Sequence, residues 1–167
     1  FSTKLLSSYG SAAVAIKTTL HSFGSLEVDG ESLSNKARVT ELTEASTLTA
    51  AQSNTTFFLN SATEFATTLP AAASAGAGWH CRIYCKAAPS GASYTIVTSD
   101  TTNIHGGVSS SDLDAVGDAD FTAGTGVGTI TFVDGKAVQG DFVDILCDGS
   151  DFYCQAFCSA FDAITYS

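Results

Sequence analysis

Histidines, clustered carboxylates, thiols and aromatic side chains are the groups in this sequence with chemical potential. The histidines are His21, His80 and His105. A general base needs a partner within hydrogen-bond reach, inside a pocket. His80 falls at an outward position of a strand pattern, His105 beside Gly106-Gly107 in an expected loop, and His21 in an N-terminal region of different character. No Gly-x-Ser-x-Gly elbow and no His-Glu-x-x-His helix is present. The expectation is a protein that is not an enzyme, with no catalytic residues and no cofactor. Asp112, Asp114, Asp118 and Asp120 stand close together in SDLDAVGDAD. Carboxylates so spaced can take calcium, but the ligand order, sixth-position Gly and closing Glu of an EF-hand are missing. A solvated acidic loop is the preferred reading.

The thiols are Cys81, Cys85, Cys147, Cys154 and Cys158, an odd number, so they cannot all pair within one chain. Three readings stay open: small buried hydrophobes, a disulfide between adjacent strands, or a zinc site. The first is favoured because all five share the inward face of their strand patterns. A disulfide needs facing Cα atoms, which sequence does not give. Zinc is disfavoured because Cys-x3-Cys occurs twice without a His at ligand spacing. Trp79, Tyr84, Tyr94 and Tyr153 offer the rings of a sugar-binding platform. Trp79 reads as inward, so such a role rests on the tyrosines, taken as exposed. Asn54-Thr55-Thr56 matches a glycosylation sequon but reads as an ordinary polar turn.

The elements that position these residues read as β-strands. In residues 79–86, WHCRIYCK, Trp79, Cys81, Ile83 and Cys85 point one way and His80, Arg82, Tyr84 and Lys86 the other. Residues 141–158 read as a long hairpin about Asp148-Gly149-Ser150-Asp151. Val143, Ile145 and Cys147 would share a face with Phe152, Cys154, Ala156 and Cys158. Phe142, Asp144 and Leu146 would share the other with Tyr153, Gln155 and Phe157. A loop of two or four residues keeps the apolar sets together and places Asp144 near Gln155, because a one-residue slip flips every side chain.

Shorter strand candidates lie at 26–28, 38–42, 47–49, 56–60, 64–69, 93–98 and 128–133. Residues 71–78, AAASAGAG, read as a flexible connection, and 101–127 as a long polar excursion. Residues 1–25 stand apart. Ser11 is placed to cap a short helix carrying Ala12, Ala13, Ile16, Leu20 and Phe23, closed by Gly24; an extended arm suits the small residues equally well. About ten short strands without a fixed-period repeat predict an all-β domain, a β-sandwich or jelly roll at residues 26–167, preceded by an N-terminal arm or short helix at 1–25.

Charge narrows the partners. The net charge is −10, with seven Lys and Arg scattered along the chain. Phosphate recognition needs clustered cations, so no nucleic-acid partner is expected. Without a basic run or a long apolar segment, no membrane partner is expected either.

Residues 47–69, TLTAAQSNTTFFLNSATEFATTL, followed by Pro70, resemble a module of tailed-bacteriophage virion proteins. The resemblance continues through SYTIVTSD at 93–100, the Gly-rich stretch 104–108, the strand 129–133 and GDFVDILCDGSDFY at 140–153. It covers roughly residues 46–158 and is similar to capsid decoration (cement) proteins and related phage fibre domains. The five cysteines, Trp79-His80-Cys81 and the 112–120 insertion depart from the pattern. The resemblance implies a structural virion protein on the outer surface of a phage capsid, a homotrimer that bridges major capsid protein subunits. The other implied role is a receptor- or glycan-binding domain of a head or tail fibre. The chain is short and lacks the repeats or coiled coil of a fibre shaft, which favours decoration. Because residues 1–25 fall outside the resembling stretch, capsid or inter-subunit contacts are expected from Leu5, Leu6, Tyr9, Ile16, Leu20 and Phe23.

Overall fold

The computed structural model describes residues 27–28, 31–32, 38–61, 63–100, 102–110 and 120–167. The chain divides into two compact units, Phe1–Lys36 and Ala37–Ser167. In the first, β1 (Glu27–Val28) and β2 (Glu31–Ser32) form a two-stranded antiparallel ladder on either side of Asp29-Gly30. The second unit is an all-β, sandwich-like domain of two mixed sheets.

Its first six strands alternate between the sheets. β3 (Arg38–Leu42), β5 (Thr55–Leu59) and β7 (His80–Cys85) lie side by side and parallel in one sheet. β4 (Ser46–Thr47), β6 (Ala66–Thr68) and β8 (Tyr94–Val97) do the same in the other. Each pair β3–β4, β5–β6 and β7–β8 is therefore one coil of a short two-sheet stack.

The remaining strands are laid on differently. β9 (Ile104–Ser110) and β10 (Asp120–Val127) pair antiparallel. β11 (Thr129–Phe132) joins the second sheet between β8 and β14 (Ile164–Tyr166). β12 (Phe142–Cys147) and β13 (Phe152–Cys158) form the anticipated hairpin, inserted between β7 and β9. The spatial orders are β10-β9-β13-β12-β7-β5-β3 and β14-β11-β8-β6-β4.

One core fills the space between the sheets. Phe57, Leu59, Ile83, Ile104, Val143 and Phe152 of the seven-stranded sheet and Tyr94, Ile96, Ile130, Phe132 and Ile164 of the other are all wholly buried. Inward and outward residues alternate strictly along β13, from buried Phe152 to buried Cys158. That period-two burial is what a sheet packed on one face imposes. Trp79 lies in the same core with its ring edge-on to Phe152, and its indole N–H donates to the Thr49 carbonyl at 3.2 Å.

The hairpin closes with a four-residue loop, Cys147 facing Phe152 and Asp144 facing Gln155, the register expected. Asp148 holds the turn: its Oδ1 accepts from the N–H groups of Ser150 and Asp151, each at 2.8 Å, and Gly149 adopts φ +100°. At the other end, buried Asp141 accepts from the Val138 N–H, the Ser159 N–H and the Ser159 hydroxyl. These bonds satisfy the buried carboxyl group, as burial of a polar group requires.

Three expectations need correction. Within the stretch read as a polar excursion, Ile104–Ser110 and Asp120–Val127 are strands, β9 and β10, and His105 sits on β9. The Gly-rich sequence hides this, because Gly106 serves a close approach. A Cβ there would lie 1.7 Å from the Cys154 carbonyl oxygen, so only glycine lets β9 run beside β13. Residues 71–78 are not simply a flexible connection, since Ala72–Ala75 form one helical turn, with Ala72 buried. Tyr94 is wholly buried: its hydroxyl donates to the Ser61 carbonyl at 2.9 Å, and its ring packs against Phe65.

Candidate functional site: the outer face of the seven-stranded sheet

Strand register brings outward side chains from distant parts of the sequence into transverse rows. One row is aromatic. Phe58, Tyr84, Phe142 and Phe157 are successive partners across β5, β7, β12 and β13. Their ring centroids are separated by 5.6, 5.3 and 6.2 Å. The next row is polar and comprises Thr56, Arg82, Asp144 and Gln155. Arg82 binds Asp144 through two parallel bonds, from Nε to Oδ1 and from Nη2 to Oδ2, and its Nη1 donates to the Tyr84 hydroxyl at 3.2 Å. Its guanidinium lies 4.7 Å from the Phe142 ring centroid, a cation–π distance. The Asp144 bonds, then Tyr84, raise the arginine pKa further, so the guanidinium is permanently charged. Both partners are more than 40% exposed, so the pair adds under about 1 kcal/mol to stability. Its firmer effect is to fix two planar groups in one orientation.

The third row holds His80, Leu146, Tyr153 and His105. His80 Nδ1 lies 3.0 Å from the Gly78 carbonyl oxygen and its Nε2 3.3 Å from Asn54 Oδ1, so both ring nitrogens face acceptors. His105 Nδ1 accepts from the Gly126 N–H at 3.2 Å, and its Nε2 lies 3.5 Å from Asp151 Oδ1. The ring of Tyr153 leans over His105 at 5.9 Å and is half exposed. Its phenol is raised above its ordinary pKa, chiefly by the Asp148 charge, and so keeps its proton at neutral pH.

Between the second and third rows runs an open groove of about 760 Å³ crossing β5, β7, β12, β13 and β9. Its floor is strand backbone about Cys81, Ile145 and Cys154, whose side chains point into the core.

All five cysteines are free and buried. Cys81 and Cys154 each face Ile145 from opposite sides, which keeps one strand between them. Burial pushes the Cys85 and Cys154 thiols up to about 12 and raises the other three. They are core residues, the reading their shared facing favoured, and poor nucleophiles. Among the described residues no group of His, Cys, Asp and Glu is placed to hold a metal ion. Asp112, Asp114 and Asp118 lie outside the described residues, as do Leu5, Leu6, Tyr9, Ile16, Leu20 and Phe23. Of the proposed aromatic platform, Trp79 and Tyr94 are core, while Tyr84 and Tyr153 lie on the outer face. Phe58, Phe142, Phe157, Arg82, Asp144 and Gln155 complete that face; all but Phe58 read as outward from sequence, with Asp144 beside Gln155 as observed, but none was assigned a binding role. Their outward facing was legible in part, but not the order of strands that brings them together.

Comparison with family models, curated proteins and solved structures finds no match for this chain. No helix among the described residues is long and apolar enough to cross a membrane.

Proposed function

We propose that this chain is a structural virion protein that decorates and stabilises the outer surface of a phage capsid, working as a homotrimer bound to the major capsid protein. The observation that carries the reading is the two-unit organisation. A body built from the segments that resemble the phage module, including the Gly140-Asp141 and Asp148-Gly149 corners of the hairpin, follows a separate N-terminal unit. That arrangement suits a rigid cap with an arm that reaches its neighbours. Binding only to the expanded lattice would stabilise that lattice by mass action, and a trimer multiplies the contacts. The acidic surface would keep decorated particles apart in solution.

Counting copies in purified virions by quantitative mass spectrometry tests the assignment. Hundreds of copies per particle, with loss of particle stability but normal host adsorption on deleting the gene, are expected. A handful of copies together with lost adsorption would instead favour the second reading, a receptor- or glycan-binding fibre domain. The exposed groove, edged by Tyr153, His80 and His105, is the observation that keeps this second reading in view.

A further inference from the structure

We propose that the groove on the outer face of the seven-stranded sheet is a binding site for a neutral oligosaccharide, wherever on a particle the protein sits. Shape comes first. The groove crosses five adjacent strands, four spacings of about 4.8 Å, giving a trough of about 19 Å. Its bordering rows are two residues apart along each strand, a separation of about 7 Å. That is a slot for a narrow, extended ligand.

Charge comes next. The chain as a whole is strongly acidic. In this groove, however, the one arginine and the one aspartate neutralise each other. An anionic glycan would be repelled by Asp148 and Asp151, beside Tyr153 and His105 at the groove's end, and a cationic one would find Asp144, the one carboxylate between the rows, already paired with Arg82. A neutral polyol meets neither penalty.

Hydrogen-bonding capacity completes the match. The Arg82–Asp144 pair is planar and held in place by Tyr84 and Phe142. Its remaining lone pairs and N–H groups face solvent without needing to reorganise. Gln155 stands beside Asp144, exposed, and its amide bonds to no described residue. Asn54 and His80 present a further amide and imidazole at the β5 end. Tyr153 supplies a half-exposed ring for the C–H face of a sugar and a phenol that stays protonated. Polar groups fixed in plane beside an exposed aromatic ring satisfy alternating hydroxyl and C–H surfaces.

The test uses the full chain, labelled with ¹⁵N, titrated with maltopentaose, cellopentaose, laminaripentaose, mannopentaose and chitopentaose, with an alginate pentasaccharide as the anionic control. At least one neutral oligosaccharide should give saturable shifts confined to the groove-lining residues of β5, β7, β12, β13 and β9. Tyr153→Ala and Gln155→Ala should each weaken that binding at least tenfold, while Val138→Ala, remote from the groove, should leave it unchanged. Amide spectra of the variants report whether the fold is intact. No saturable shifts with any neutral member at millimolar concentration would overturn the proposal, as would binding of the alginate alone. So would a change of oligomeric state in Tyr153→Ala, which would identify the face as a contact between copies. None of these outcomes bears on copy number in the virion, so the decoration reading stands or falls separately.

Discussion

The five thiols matter at the scale of single residues because each is a small apolar side chain that carries a latent charge. Burial raises all of them, Cys85 and Cys154 to about 12. In the unfolded chain they would ionise above about 8.5. The sign follows: the native state keeps protons that the unfolded state loses, so their contribution is intact below the unfolded pKa. It falls as the pH rises from there toward the folded value. Denaturant midpoints should therefore decline along the alkaline limb, and Cys154→Ala should flatten part of that decline. Native protein should leave Ellman's reagent unreacted at neutral pH, and guanidinium should release five equivalents. A rapidly reacting thiol in the native state would contradict the buried placement. The facing of these residues was legible because alternation in WHCRIYCK and in the hairpin is a local pattern. Their mutual distances were not, because strand order decides them: β12 stands between β7 and β13 and separates Cys81 from Cys154.

Strands and hairpins differ in how much of themselves they announce. The β12–β13 hairpin was readable in full because its partner residues are close in sequence and Asp148-Gly149 sets the turn. The parallel ladders β3–β5–β7 and β4–β6–β8 were not, because each strand's partner lies a whole coil away and no turn chemistry marks the pairing. β9 was missed for a different reason: glycine at 106 and 107 erases the alternation at the place where a side chain would block the ladder. β14 is too short to carry a period. The central position of β12, flanked by β7 and β13, makes it the least replaceable strand. Ile145 is almost wholly buried beneath the groove floor. Ile145→Asp should abolish the cooperative melt seen by circular dichroism, since an unpaired carboxylate in this core costs several kcal/mol (about 3 or more). An unchanged melting temperature would mean the facing of β12 is wrong.

At the scale of the whole molecule, the separate N-terminal unit is where the decoration reading makes its own demand. If residues 1–25 carry the arm, a chain lacking them should still melt cooperatively, because the body Ala37–Ser167 has its own core. It should, however, lose occupancy on expanded capsids, read as the fraction co-sedimenting with them. Undiminished occupancy would move the capsid contact onto the body. The coiled half of that body has a separate consequence. Since β3–β4, β5–β6 and β7–β8 each lay one strand in each sheet, duplicating the segment from β5 to β6 would widen both layers together, by about 4.8 Å, and leave the hairpin's neighbours in register. The breadth of the ligand-facing surface is thus an adjustable dimension, open to gene duplication or to design, while the chemistry presented by β12 and β13 is inherited unchanged.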